Sequence, residues 1–463
     1  MSFTSLVFYL ALAIAALMFY LLPSRWRVPY LLAISCAFYA TWSPKYLALL
    51  AATVVGVYWI GRKLHDTQTE TGKKTWLIGG LILTLAPLVV FKVQAVYVGW
   101  LAPVGLSYYT FKLISYIVEI YWDDTAVHNN FVEFACFASF GPQMLSGPIQ
   151  RGYEFFPQLK DVRSGKTDFA QIESGLSLII GGLMMKMIVG DQLAQFVTLI
   201  DASPGTYRRS VLLVSTLTYA AQLYADFAGY TNIAIGIGRI FGIDSPPNFN
   251  GPFSAANIQD FWRRWHMSLT RWLTDYVFMP VRMSTRRLGN AGLVLSIVLN
   301  LLLIGIWHGL TWTFATFGLV QGIFMGVSAL TLKGRNDFFA RAPSSVRKLR
   351  YLIGVLATYL LWSFSQVFFQ ARTMGFAVQR LKQLAGTAPA GSLGFGDLRT
   401  DISASLYLCL PLALYLGAGA PGSQWLARPI IRFVPNWVIY GCALLILSAL
   451  TTSSGHSFVY GQF

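Results

Sequence analysis

The sequence predicts an all-α protein that crosses a membrane many times, and three observations carry that prediction. Of 463 residues, 55 % are hydrophobic and only 12 % charged, with a mean hydropathy of +0.54, whereas an average soluble domain carries about 25 % charged residues. Apolar runs of about 20 residues, enough to cross a hydrocarbon core about 30 Å thick, recur along the chain. They lack the alternation of barrel strands, so the spans are helices, whose backbone polar groups are satisfied within the segment.

In chain order the candidate spans are residues 3–22, 28–43, 46–61, 76–98, 101–122, 131–148, 175–200, 211–240, 291–307, 309–332, 351–370, 403–419 and 437–453, about 11–13 crossings. The first reads as a retained span: no basic residue precedes it and no small-residue cleavage site follows. Arg25, Arg27, Arg62, Lys63, Lys73 and Lys74 fall on one side if spans alternate, while the opposite loop holds only Lys45. Basic loops stay cytoplasmic, which places the N-terminus outside. No polar linker or internal repeat divides the chain, so 1–463 reads as a single transmembrane domain. The net charge of +16 follows from inside-positive loops and anionic lipid headgroups and calls for no nucleic acid. Cys36, Cys136, Cys409 and Cys442 lie in apolar segments without C-x-x-C spacing, so they read as packing residues, neither disulfides nor zinc ligands.

The segment 257–276, "NIQDFWRRWHMSLTRWLTDY", differs from the spans. Ile258, Phe261, Trp262, Trp265, Leu269, Trp272, Leu273 and Tyr276 share one helical face, Arg263, Arg264 and Arg271 point away, and Asn257 is suited to cap the start. Such a helix is expected to lie in the cytoplasmic interface, tryptophans in the acyl boundary and arginines toward headgroups. His266 sits at the border of the apolar face, able to point inward; a plain anchor helix accounts for the same pattern.

The uncharged run 291–332 contains His308, between Gly305 and Gly309. Basic stretches at 263–287 and 333–350 flank it, so it is expected to enter and return with His308 near the turn, as two crossings or equally as a pair of shorter helices meeting inside the protein. An ionisable group in such a run faces a bundle interior or a watery cavity; a hydrogen-bonded core histidine is the alternative. His65, His128 and His456 fall in loops or near the end and read as solvated or structural. No histidine pair has i, i+4 spacing, so no metal site is expected. Lys112, Glu119, Lys186 and Asp226 are read as members of structural ion pairs, Asp226 in a glycine-rich helix suited to tight packing.

Taken together, "PVGLSYYTFKLISYIVEIYW" at 103–122, "SGPIQRGYEFFPQ" at 146–158, "YADFAGYTNIAIGIGRIFGI" at 224–243, "NFNGPFSAANIQDFWRRWHMSLTRWLTDYVFMPV" at 248–281 and "IWHGLTWTFATFGLVQG" at 306–322 resemble the membrane-bound O-acyltransferase (MBOAT) superfamily, in its bacterial alginate O-acetylase-like branch. The opening "FTSLVFYLALAIAALMFYLLP" and closing "SFVYGQF" are similar to that branch too, apart from Gly461, where similar chains carry an aromatic. The resemblance implies a funnel from each face with a ring of helices around a thin wall, in a bacterial inner membrane. It implies that His308 matches the active-site histidine, His266 the second characteristic position, and Trp262 a residue near the donor's thioester arm. Trp265, Trp307, Asp226, Arg263 and Arg264 join Trp262 as candidate substrate-binding residues, the two arginines as attractors of an anionic donor, although topology charges explain them equally.

The expected reaction follows. Acetyl-CoA or another acyl thioester serves as a substrate, not a bound cofactor, and a glycan hydroxyl outside is the acceptor, so the reacting atoms meet within the membrane. An imidazole titrating near neutrality is suited to act as general base there, which is the role expected of His308, with His266 orienting the thioester or assisting the departing thiol. The acyl group passes to the polysaccharide directly or through a periplasmic acyltransferase partner. A D-alanyl transferase for teichoic acids is the alternative among enzymes; a transporter using Lys112, Asp226 and His308 is the alternative of another class.

Overall fold

The computed structural model describes residues 5–41, 44–99, 103–123, 126–144, 147–166 and 168–419. The span expected at 437–453, Cys442, His456 and the closing heptapeptide lie outside the described residues. The described chain is helical, its only β feature a bridge between Tyr207 and Leu393. In order the helices are α1 (Leu6–Leu21), α2 (Ser24–Ala40), α3 (Pro44–Asp66), α4 (Glu70–Tyr97), α5 (Leu106–Trp122), α6 (Phe131–Ser139), α7 (Gly141–Met144), α8 (Gly152–Ser164), α9 (Phe169–Leu183), α10 (Asp191–Ala202), α11 (Arg209–Ile240), α12 (Ile258–Arg264), α13 (Met267–Leu273), α14 (Met279–Ser284), α15 (Gly289–His308), α16 (Trp312–Ala340), α17 (Ser344–Gln370), α18 (Met374–Ala385) and α19 (Thr400–Gly417). Polar caps set several starts: Ser5, Thr69, Asn130, Asn257, Thr311 and Thr373 each accept from a first-turn N–H.

Eight helical runs among the described residues are long and apolar enough to cross a membrane, and α1 is a shorter apolar helix. The chain is a multi-pass membrane protein. α9 and α10 form one such run, joined by a wider π-helical turn, Met184–Gly190. The expected span at 131–148 is corrected: it is the nine-residue α6 and the four-residue α7, rising only about 14 and 6 Å. Phe134, Ala135, Cys136, Phe137 and Ala138 of α6 and Met144 of α7 are buried, a destination that hydrophobicity alone does not distinguish from lipid.

Two compact units make up the chain, one of residues 1–181 and 230–247, the other of 182–229 and 248–463. In the first, α3 packs on α4 and α5, and α2 on α6 and α8. Its buried polar groups satisfy one another. Lys112 donates to the Gln143 amide at 2.6 Å and faces the Phe137 and Phe155 rings, so it meets a neutral amide and not the carboxylate expected from sequence. Glu133 accepts from Arg163 at 2.6 Å and meets His128 Nε2 at 2.8 Å, while the His128 ring stacks on Phe156, a structural role as expected.

In the second unit α15 and α16 form a tight hairpin. The uncharged run thus forms two helices, each long and apolar enough to cross a membrane, with His308 at the turn between them. Glycine permits the approach: a Cβ on Gly305 would stand 2.2 Å from the Phe314 carbonyl oxygen, and one on Gly318 2.5 Å from that of Leu301. α17 packs on α16, and α10 on α19. Tyr359 of α17 donates to the Leu217 carbonyl of α11 at 2.8 Å.

Candidate active site

His308 is the last residue of α15, and after three intervening residues α16 begins at Trp312. Thr311 caps α16 by accepting from the Phe314 N–H, which brings Phe314 back over the histidine. The imidazole is 5 % exposed. Ring centroids of Trp307, Phe369 and Phe314 lie 4.5, 4.8 and 6.1 Å away, Phe314 nearly parallel and Phe369 nearly perpendicular. The ring is therefore walled by aromatic surfaces, which fix its plane without competing for its nitrogens.

The segment carrying His266 departs from the single interfacial helix expected. α12 ends at Arg264, Trp265 is extended (φ −107°, ψ 128°), and His266 is left-handed (φ 43°, ψ 53°) before α13 begins. Among the described residues it is the one non-glycine residue with positive φ, a conformation that costs roughly 1–2 kcal/mol. Asn248 holds the break. Its carbonyl accepts from the Met267 N–H at 2.9 Å, and its side-chain Oδ1 accepts from the Ser268 N–H at 3.2 Å and Oγ at 2.6 Å. His266 itself provides no side-chain cap to α13; Asn248 supplies it from a distant loop.

The break corrects the placement of the tryptophans. Trp262, Trp265 and Trp272 are buried in protein, not in an acyl boundary. Trp262 Nε1 donates to Gln321 Oε1 at 3.1 Å, and Gln321 Nε2 donates to Ser365 Oγ at 2.6 Å. Trp265 packs among Phe249, Phe261 and Trp362. His266, 1 % exposed, meets Phe227 edge-on at 4.7 Å and Trp307 at 6.0 Å. Burial pushes its imidazole down to about 3, so it is neutral at physiological pH.

Trp307 thus touches both histidines, while Trp262 and Trp265 meet at Trp362. Asp226 is not among them. It neighbours Phe227 in sequence but pairs with Lys186 at 2.6 Å, and Lys186 also meets Asp191 at 2.5 Å; this is the structural ion pair expected, with a second carboxylate added. Arg263 is exposed, and Arg264 is tied to Asp260 at 3.0 Å and to Ser254 at 3.1 Å.

Gln366 is a residue that sequence reasoning missed. It is 1 % exposed, and neither amide atom has a hydrogen-bond partner among the described residues. On α17 it stands four residues after Trp362, which packs on Trp262 and Trp265, and three before Phe369, which faces His308; these spacings share one helical face. An amide within the apolar stretch 360–369 was the available signal, since a buried polar group without a partner costs about 1–3 kcal/mol.

The profile of the family described as "MBOAT, membrane-bound O-acyltransferase family" matches residues 123–373. The chain belongs to the membrane-bound O-acyltransferase family. This MBOAT protein is an O-acyltransferase. It is 31 % identical over 460 residues to the probable alginate O-acetylase AlgI of Azotobacter vinelandii, covering 93 % of this chain and 87 % of that one. It is 31 % identical over 408 residues to the peptidoglycan O-acetyltransferase of Helicobacter pylori, covering 79 % and 74 %. The teichoic acid D-alanyltransferase of Bacillus subtilis is 36 % identical over 233 residues, 48 % of this chain and 57 % of that one. The matched family region contains His266, His308, Trp262, Asn248 and Gln366.

Proposed function

We propose that the protein transfers an acetyl group from a cytoplasmic thioester, acetyl-CoA or an equivalent, to hydroxyls of an extracytoplasmic polysaccharide, directly or through a periplasmic acyltransferase. The observation that supports this most is Trp307 between two buried imidazoles, 4.5 Å from His308 and 6.0 Å from His266, in a chain similar to an alginate and to a peptidoglycan O-acetylase over most of its length. The protein sits in a bacterial inner membrane, N-terminus outside, with donor and acceptor approaching from opposite faces.

His308 removes the proton of the acceptor hydroxyl as its oxygen attacks the thioester carbonyl carbon. The tetrahedral oxyanion collapses, the C–S bond breaks, and the thiolate leaves with the proton returned through His308, giving an ester and a free thiol. His266, neutral, orients the thioester and is no source of a full proton. In this reading the Gln366 N–H donors receive the oxyanion, supported by their burial without a partner among the described residues, the type of stabilisation that preorganised donors supply in a water-poor site. Trp262 borders the thioester arm, and Arg263 helps to attract the anionic donor.

The test is label transfer by the purified full chain from [14C]acetyl-CoA to soluble polysaccharide, together with mass spectrometry of the surface polymer in cells with and without the protein. His308→Ala is expected to lower transfer by about 10²–10⁴-fold while membrane insertion is kept. Near-normal transfer by that variant removes the assigned base, and a D-alanyl mark in place of acetyl replaces the donor class.

A further inference from the structure

The first unit contains two adjoining cavities that the acyl-transfer chemistry does not use. One, of about 310 Å³, is almost wholly apolar and runs between one face of α1 (Phe8, Ala11, Leu12, Ala15) and one of α2 (Leu31, Phe38). The other, of about 500 Å³, is polar and includes Tyr20, Arg27, Asp161, Lys166 and Asp168. Phe241 lines both. α1 ends, α2 and α9 begin and α11 ends around the polar cavity, so it lies where spans stop, at headgroup depth.

Arg27 is the unusual group. It is 8 % exposed, its guanidinium lies 5.2 Å from the Phe19 ring and 5.4 Å from that of Tyr20, and its Nε has no hydrogen-bond partner among the described residues. A buried cation held between two rings with an N–H to fill suits a phosphate oxygen. Asp161, Lys166 and Asp168 are exposed at the mouth. From inside outward the order is an apolar groove, a guanidinium, then a rim on which Asp161 pairs with Lys166 at 3.6 Å and Asp168 presents a further exposed carboxylate. That order matches an acyl chain, a phosphate and an ammonium.

The length fits as well. From Phe8 to Phe19 the helix makes eleven residue steps, about 17 Å, close to half of a hydrocarbon core of about 30 Å and so to one leaflet. The opposite face of α1 presents Val7, Leu10, Ile14, Leu17 and Leu21 outward, so the helix has lipid-facing residues on one side and cavity-lining residues on the other.

We propose that the α1–α2 groove and the Arg27 cavity together bind one glycerophospholipid with an amine headgroup: a chain along α1, the phosphate on Arg27 and the ammonium at Asp168. The test is native mass spectrometry of the delipidated full chain titrated with palmitoyl-oleoyl phosphatidylethanolamine, compared with the matching phosphatidylglycerol and with water-soluble glycerophosphoethanolamine. One tight phosphatidylethanolamine adduct per chain is expected, stronger than with phosphatidylglycerol, and absent with the soluble headgroup. Arg27→Gln, which removes the phosphate contact, and Ala15→Trp, which fills the groove, are each expected to weaken it about tenfold or more. A photoreactive phosphatidylethanolamine on the unmodified protein provides an arm independent of variant folding, with label expected in peptides from residues 8–41. Equal binding of the soluble headgroup, no adduct, an adduct indifferent to both changes, or label confined elsewhere would each overturn the proposal. Acyl transfer is not the readout, so the outcome is independent of the assigned chemistry.

Discussion

Replacing Asn248 by alanine should loosen the catalytic region without touching a histidine. The Asn248 side chain accepts from both the N–H and the hydroxyl of Ser268, two residues after His266, and caps α13 in place of the left-handed His266. Loss of a helix N-cap costs about 0.5–2 kcal/mol, and removing the acceptor of a buried hydroxyl about 1–3 kcal/mol, so the variant should lose roughly 1.5–5 kcal/mol of stability. His266 relaxes toward a right-handed helix, and its imidazole moves from its place beside Trp307. A misplacement near 1 Å costs about 10²-fold in rate, so kcat for acetyl transfer should fall by about that factor. Detergent melting and single-turnover transfer from acetyl-CoA measure the two effects. Ser268→Ala, which removes only the hydroxyl, should cost about 1 kcal/mol, and the double variant should be less destabilised than the sum of the singles. If Asn248→Ala melts like the parent and keeps kcat within twofold, the loop does not hold His266 and its backbone geometry has another cause.

Further outcomes follow from the same contacts. His266→Asn should fold, because asparagine tolerates the left-handed region, yet transfer poorly. Since burial lowers the His266 pKa from 6.5 to about 3, the unfolded chain binds a proton that the native ring refuses; His266 therefore erodes stability as pH falls from about 6.5 toward 3, and His266→Asn should flatten that slope in pH-dependent melting. Lys186→Met, which leaves two buried carboxylates facing each other, should destabilise by about 3–5 kcal/mol, whereas Asp226→Asn leaves a balanced Lys186–Asp191 pair and should cost far less, as denaturation in detergent would reveal. Gly305→Ala forces a Cβ toward the Phe314 carbonyl, three residues from His308, and should lower kcat by about 10²-fold while the protein still inserts. Gln366→Leu should reduce kcat by about 10²–10³-fold with KM for acetyl-CoA little changed, if the amide serves the oxyanion and not ground-state binding.

Much of this was legible in the chain, and the losses share a cause. Hydropathy located the spans because lipid rewards apolar length, but it also read 131–148 as a crossing, since Phe137 and Phe140 look alike whether they face acyl chains or Phe155. The uncharged run and its glycines placed His308 at a turn, where the structure has it. The helical period through 258–276 continued across His266, because the break is imposed by Asn248, distant in sequence and invisible to local spacing. Trp262 could be singled out from its motif; Gln321, which fixes its indole, and Gln366 required the tertiary packing of α16 and α17.

The hairpin has one more implication. α15 is a rod of 20 residues, about 30 Å long, with the cluster Arg282, Arg286 and Arg287 just before its start and His308 at its tip. A donor whose phosphates rested on that cluster would be a whole rod away from the base. On the proposed reading the exposed Arg286 and Arg287 would gather anions from solution and raise their arrival rate, in a manner that salt would suppress, and would not hold the donor during bond making. Sensitivity of encounter to ionic strength, with the chemical step indifferent to it, is the kinetic signature that this separation imposes.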